Sequence, residues 1–226
     1  MARGPCAKLL RDRARAANAV PRGRGIEMTP ELRAILDRFI YEQATVTHIV
    51  TALPAEGAER VVGETGWTIR QLIAHFAESQ EGYAAAIGRW LAGEQVEPAG
   101  FDRDRANAET ARTRAETPLP ELLVRLRKSL RALFAAFHAI PDERLADPFG
   151  PSSALETFHT WKRHYLDHGL DLIDAAPEVR FDPLVLNWLL YAEFIDERSK
   201  ARQRQLMEDV RAHYAARPGD DVEVEA

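Results

Sequence analysis

The chain has 226 residues, of which 46% are hydrophobic and 29% charged, and its formal net charge is −5. A chain of this size can bury a full core in one domain without disulfides or a structural metal. Its one cysteine, Cys6, lies outside the predicted core, which excludes a cysteine nucleophile there and indicates a reducing, cytoplasmic compartment. No apolar run approaches the roughly 18 residues of a membrane span, and no signal peptide is visible.

Charge is distributed unevenly along the chain. Residues 1–27 contain seven basic and two acidic side chains, a net charge of +5, which leaves −10 for the rest. An acidic body argues against nucleic acid as a partner, because phosphate binding depends on clustered lysine and arginine. We predict a basic, disordered extension at residues 1–27, a domain at 28–215 and an acidic, disordered tail at 216–226. A targeting or nucleic-acid-binding arm is the alternative for the extension, and a translation start at Met28 is a further hypothesis.

The first half of the domain reads as successive helices. Apolar residues at helical spacing predict a first helix over residues 30–53 and a third over 118–140. Between them, Thr68 and Gln71 have the spacing of a capping box, which predicts a second helix from Thr68 to about Leu91. The polar connection over residues 93–118 is long enough to contain a short helix and is a candidate lid, with a plain surface loop as the alternative.

The second half continues the pattern. A fourth helix is expected to open near Ser152 or Ser153 and to run to about Ala175. A fifth is expected over residues 183–215, apolar on all sides at 184–195 and strongly charged afterwards. Its charged part is too weakly amphipathic to be stable alone, so we predict that it packs across its own bundle or a second subunit, with a homodimer favoured. No stretch shows a convincing strand period.

Two histidines one helical turn apart are the most informative feature of the chain. His164 and His168, in FHTWKRHYLDHGLDLI, project from one face of the fourth helix and can converge on one ion. The best candidate for a third ligand is His75, in GWTIRQLIAHFAES on the second helix. The alternative is that the spacing arose by chance on a solvated face.

Two carboxylates follow these histidines at a spacing of three residues. Glu78 follows His75 and Asp171 follows His168, so each can reach an imidazole N–H or serve as a general base beside a bound water. Solvated ion pairs are the alternative for both. Trp161, three residues before His164, is expected to form part of the wall of the site.

Several segments together resemble one known group of proteins. GWTIRQLIAHFAE is similar to the second-helix signature of the DinB/YfiT-like metalloprotein superfamily, and HYLDHGLDL is similar to its HxxxH element. The FDRDRANAE connection and the leucine-rich third helix also fit, over about residues 28–195. The nearest branch is that of the mycothiol-dependent maleylpyruvate isomerases. The resemblance implies an all-α four-helix bundle with a crossover connection, here with an additional long C-terminal helix.

The same resemblance implies a divalent ion held by His75, His164 and His168. The isomerases proper have a glutamate at the position of His164, so the chain resembles the three-histidine members of the superfamily. Nitrogen ligands with an open position suit catalysis by zinc, nickel, iron or copper, and of these we expect zinc or nickel. We expect a metal-dependent enzyme acting on a small molecule, either a thiol-dependent transferase or isomerase, with an external thiol as cosubstrate, or a hydrolase. The alternative is a non-catalytic, stress-associated or partner-binding bundle.

Overall fold

The computed structural model describes residues 28–216. The predicted basic extension and nearly all of the predicted acidic tail lie outside the described residues. The helices are α1 (Pro30–Thr51), α2 (Ile69–Leu91), α3 (Arg103–Thr113), α4 (Leu119–His138), α5 (Ala154–Trp161), α6 (His164–Ala175), α7 (Pro183–Leu190) and α8 (Glu197–Ala215). Two pairs of short strands are antiparallel: β1 (Val61–Val62) with β2 (Trp67–Thr68), and β3 (Pro148–Phe149) with β4 (Ser152–Ser153).

Hydrogen bonds between side chains and backbone set where α2 and the α5–α6 segment begin. The Thr68 hydroxyl accepts a hydrogen bond from the Gln71 amide at 3.3 Å, and the Gln71 side chain accepts one from the Thr68 amide at 2.8 Å. Ser153 and Glu156 form the same reciprocal pair at the start of α5. Each box satisfies two amides that the first helical turn leaves without partners. Both predicted helix starts are confirmed.

The core lies between α1, α2, α4 and the α5–α6 segment. The contact between α2 and α4 is the most extensive, and α1 packs against α4, α6 and α7. Aromatic rings join these layers: the ring centroids of Phe39 and Phe137 lie 6.5 Å apart, and those of Phe137 and Phe158 lie 4.9 Å apart. All three side chains are fully buried. The structure therefore confirms the predicted all-α bundle. Within residues 28–216, none of the helices has both the length and the apolar composition needed to cross a membrane.

The prediction that the fourth helix is one continuous element is wrong. The helix is divided into α5 and α6 at Lys162 and Arg163, where the Arg163 amide bonds to the Thr160 carbonyl at 3.1 Å. This bond spans three residues, whereas an α-helix spans four, so the turn is tighter there. The tight turn lies between Trp161 and His164, which both have ring partners on α2.

The predicted fifth helix is also divided. Helix α7 ends at Leu190 and α8 begins at Glu197. Between them Tyr191 and Ile195 are 83% and 71% exposed while Phe194 is buried, so this connection is not buried on all sides. The Gln203 amide donates hydrogen bonds to the carbonyls of Leu189 and Ala192 at 2.7 and 2.9 Å. The last carbonyls of a helix have no hydrogen-bond donor within that helix, and here the Gln203 side chain on α8 is the donor.

Helix α8 packs on its own chain. Leu206 is 1% exposed, and Arg202 forms ion pairs with Asp171 and Asp174, each at 2.6 Å. A further pair joins Arg180 to Asp209 at 2.6 Å. Packing across its own bundle, one of the two predicted arrangements, is therefore present. The predicted homodimer stays a prediction.

Candidate metal centre

His75 lies in the second turn of α2, directly behind a short strand pair. The side chain is 6% exposed, and the Trp67 ring of β2 lies 5.0 Å from the imidazole, centroid to centroid. Because β2 pairs with β1 and leads straight into the capping box, the position of Trp67 is fixed relative to α2. The strand pair thus supplies one wall beside this histidine.

His164 and His168 occupy the first turns of α6 and lie beside His75. The ring centroids are 4.7 Å apart for His75 and His164, 5.4 Å for His75 and His168, and 5.3 Å for His164 and His168. Nε2 of His75 and Nε2 of His164 are separated by 2.8 Å. One nitrogen from each ring can be chosen so that all three lie within 4.8 Å of one another.

This spacing allows the three rings to converge on one ion. Three points no more than 4.8 Å apart fit within a circle of about 2.8 Å radius. Zinc–nitrogen bonds are roughly 2.0–2.1 Å long, so small side-chain movements are enough to close the site. His75 and His164 are 89 residues apart in the chain, and the packing of α2 against α6 brings them together.

The surroundings favour the neutral form of all three imidazoles. Burial, with a smaller contribution from His168, lowers the pKa of His75 to about 4. Burial also lowers the pKa of His164, where both other histidines add to the effect, and the pKa of His168. At neutral pH each ring therefore has a lone pair available. A neutral imidazole is the form that binds a metal.

Aromatic rings surround the histidines. The Phe76 ring lies 5.4 Å from His164 and 5.6 Å from His168, and the Tyr83 ring lies 6.1 Å from His164. Trp161, expected in the wall, is stacked on Tyr83 at 4.2 Å. Sequence reasoning missed Tyr83, which lies about 80° from His75 around α2 at 100° per residue. At that angle the two side chains do not share a helix face, so the sequence alone does not indicate that Tyr83 lies beside the histidines.

The comparison with known families agrees with this geometry. Residues 41–173 match the family model described as the mycothiol maleylpyruvate isomerase N-terminal domain, a segment that covers more than half of the chain and contains all three histidines. The chain belongs to this family. The family is part of the DinB/YfiT-like superfamily, so the resemblance drawn from the sequence is confirmed. No curated protein and no solved structure gives a match.

The family match covers only part of the described structure. The matched segment ends within α6, so α7 and α8 lie beyond it. All three candidate ligands are inside the matched segment. Arg202, which contacts Asp171 one turn after His168, comes from outside it.

Glu78 lies in an ion-pair cluster between α2 and α4. Its carboxylate accepts a hydrogen bond from Arg125 at 2.8 Å, and Glu81 accepts another from the same guanidinium at 2.7 Å. No contact between Glu78 and an imidazole occurs in the described part of the chain. The structure therefore corresponds to the ion-pair alternative for this residue.

Asp171 lies between α6 and α8. Arg202 donates a hydrogen bond to its carboxylate at 2.6 Å, and the side chain is 23% exposed. The carboxylate also raises the pKa of His168 against the larger, lowering effect of burial. Asp171 is thus both ion-paired and close enough to act on a candidate ligand.

The backbone of Gly63 lies very close to the side chain of Asp171. Its φ is +53°, and a Cβ built at this position would lie 2.6 Å from Cγ of Asp171. We expect Gly63→Ala to lower the free energy of unfolding by about 2 kcal/mol, through the left-handed backbone and the clash together. Gly66→Ala is the matched control, because Gly66 has φ +68° and open space around the added Cβ. Urea denaturation should show about 1 kcal/mol for the control; equal losses in the two variants would exclude the clash.

The remaining described histidines lie elsewhere. His159 is exposed on α5. His48 pairs with Asp182 at 2.9 Å, and the His213 ring stacks on Phe181 at 3.9 Å. The His138 ring lies 4.5 Å from Phe134 at the end of α4. These contacts are structural.

Proposed function

We propose that this protein is a metal-dependent enzyme that acts on a small molecule, and that His75, His164 and His168 hold its divalent ion. One observation supports the proposal most directly. Three neutral imidazoles, drawn from two regular helices, offer nitrogens within 4.8 Å of one another inside an aromatic enclosure. A domain with this core does not need a metal for folding, so a site of this kind serves chemistry.

The donor set fits zinc or nickel. Three neutral nitrogens leave the charge of the ion uncompensated, and three ligands leave at least one position open. A divalent ion bound there supplies a Lewis acid, which lowers the pKa of water to about 7 or stabilises a thiolate. The protein contributes ring orientation, set by α2 and α6, and the apolar walls of Trp67 and Phe76, which limit access of water.

Two reaction classes follow from this arrangement. One is thiol-dependent transfer or isomerisation, which the printed name of the family supports, since it refers to mycothiol. The only cysteine of the chain is Cys6, outside the family match, so such a reaction needs an external thiol. The other is hydrolysis by activated water. We propose that Asp171 acts on His168 through its charge, and we assign no catalytic role to Glu78, which is paired with Arg125 and has no such effect on a candidate ligand.

Elemental analysis of protein purified without an affinity tag, followed by turnover assays, tests the proposal. We expect one equivalent of zinc or nickel, and consumption of a thiol or an ester substrate when mycothiol, bacillithiol or glutathione is supplied with electrophilic and hydrolysable probes. Stoichiometric metal without turnover of any probe would favour the non-catalytic, partner-binding alternative. Absence of metal, even after incubation with zinc and nickel, would exclude the proposed site.

The proposal extends to compartment and assembly. Free thiol cosubstrates and a single cysteine fit a cytoplasmic protein with no nucleic-acid partner, in keeping with the acidic composition of the domain. A homodimer is proposed from the exposed apolar side chains between α7 and α8, Tyr191 and Ile195. Sedimentation at micromolar concentration distinguishes a dimer from a monomer.

A further inference from the structure

Helix α3 packs against α2, the helix that contains His75. The Gln71 side chain donates a hydrogen bond to the Ala111 carbonyl at 3.0 Å, and Ala111 is the one buried residue of α3. The Arg70 side chain donates a second hydrogen bond, at 2.7 Å, to the carbonyl of Thr117, which follows α3 in the chain. The start of α2 therefore lies beside the end of α3, so the two consecutive helices are antiparallel. Arg103, about two turns before Ala111, then lies further along α2, toward Tyr83.

Arg103 acts electrostatically on two side chains of the site. Burial is the main cause of the lowered pKa of His164, and the charge of Arg103 contributes to it. Burial raises the pKa of Tyr83 to about 12, and Arg103 opposes this shift. The guanidinium is paired with Glu97 at 2.7 Å, but these side chains are 74% and 54% exposed. Such a surface pair stabilises little and can exchange its partner.

Tyr83 is held rigidly beside His164. The stack on Trp161 has an interplanar angle of 11°, and Trp161 in turn contacts Phe149 and Phe158 at 5.3 and 5.2 Å. A largely buried phenol usually finds a hydrogen-bond partner. Within residues 28–216 the Tyr83 hydroxyl has none, so it is available to a ligand. A phenol keeps its proton at neutral pH, so the hydroxyl can donate a hydrogen bond.

We infer that Tyr83 and Arg103 form an anion-binding pair beside the histidines, which holds an oxyanion group, such as a carboxylate, of the small molecule bound at the site. This inference rests on the proposed function. A phenol O–H and a guanidinium both donate, so together they select an acceptor-rich, negatively charged group and disfavour a cation. Tyr83 supplies a hydrogen bond from a ring that the stack on Trp161 holds in place. Arg103 supplies a more exposed charge that also attracts the ligand.

Acetate is a suitable probe, because it carries the carboxylate and nothing else. Protein loaded with Co²⁺ is titrated with acetate, and the visible absorption of the ion reports binding. Tyr83→Phe, which retains the stack on Trp161, should weaken acetate binding about tenfold, the value of one charge-assisted hydrogen bond. Arg103→Gln should weaken it about threefold at low salt, and this loss should vanish at high salt because an exposed charge is screened. Arg105→Gln, an exposed arginine of the same helix, is the matched control and should leave the affinity unchanged.

The outcomes separate this inference from the proposed function. If the wild-type protein binds Co²⁺, and acetate binds equally to all four forms, the anion-binding pair is excluded while the metal site stands. An equal loss in Arg103→Gln and Arg105→Gln would show that only the overall charge of α3 matters. If the wild-type protein takes up no Co²⁺, the metal site and the anion-binding pair are both excluded.

Discussion

Replacement of His164 by alanine should abolish stoichiometric metal binding. His164 contacts His75 directly, Nε2 to Nε2 at 2.8 Å, and lies 5.3 Å from His168, ring to ring. Loss of a group that merely orients a ligand costs roughly 10- to 100-fold in metal affinity, so loss of a ligand itself should cost about 100-fold or more. Elemental analysis of the tag-free variant after dialysis measures the effect.

The fold should survive this change, because apolar burial stabilises the bundle. The side chains of the core, such as Phe39, Phe137 and Phe158, do not depend on the histidines. Far-ultraviolet circular dichroism should therefore show unchanged helix content. His159→Ala is the control, since His159 is exposed on the neighbouring helix and should retain full metal content. Unfolding of His164→Ala would indicate a structural metal, and a full equivalent of metal in the folded variant would show that the ligands lie elsewhere.

One buried carboxyl group should make a contribution to the stability of the protein that decreases as the pH rises. Glu42 of α1 is fully buried, and burial raises its pKa from 4.5 to about 7 despite the opposing charge of Arg38. One oxygen accepts hydrogen bonds from Arg38 at 2.7 Å and from Trp188 at 3.3 Å, and the other has no partner among the described residues. Ionisation therefore places a charge where half of the carboxylate is unsatisfied.

The sign and size follow from the two pKa values. Below pH 4.5 the group is protonated in both the folded and the unfolded states, and it has no effect on stability. As the pH rises from 4.5 to about 7, Glu42 loses its proton first in the unfolded state, so its contribution to the free energy of unfolding falls. The total loss above that range is about 3 kcal/mol, at 1.36 kcal/mol per pKa unit.

Glu42→Gln should remove this pH dependence. Urea denaturation at pH values below and above this range should show that the wild-type protein loses about 3 kcal/mol more than the variant. Asp37→Asn, an exposed acidic position on the same helix, is the matched control and should behave as the wild-type protein does. A parallel pH dependence of wild type and Glu42→Gln would show that Glu42 ionises as freely in the folded protein as in the unfolded one.

The amino-acid sequence alone determined the local features of this molecule. The reciprocal bonds of Thr68 with Gln71 and of Ser153 with Glu156 involve residues three apart, so their effect can be read without a partner element. The same holds for His164 and His168, whose shared helix face follows from a spacing of four. The all-α class and the family also followed from such local patterns, because helical periodicity and short motifs are properties of neighbouring residues.

Only the tertiary structure decided which of these features meet. The Glu78 carboxylate lies against Arg125, 47 residues away, and Asp171 lies against Arg202, 31 residues away, and no local rule ranks those partners above an imidazole. The breaks after Trp161 and Leu190 likewise depend on distant groups, the ring of Tyr83 and the amide of Gln203. The register of α3 on α2, which brings Arg103 toward Tyr83, is set by the contact of Gln71 with Ala111, 40 residues away. Contacts between distant segments depend on how whole helix faces pack, and the spacing of residues along one helix does not contain that information.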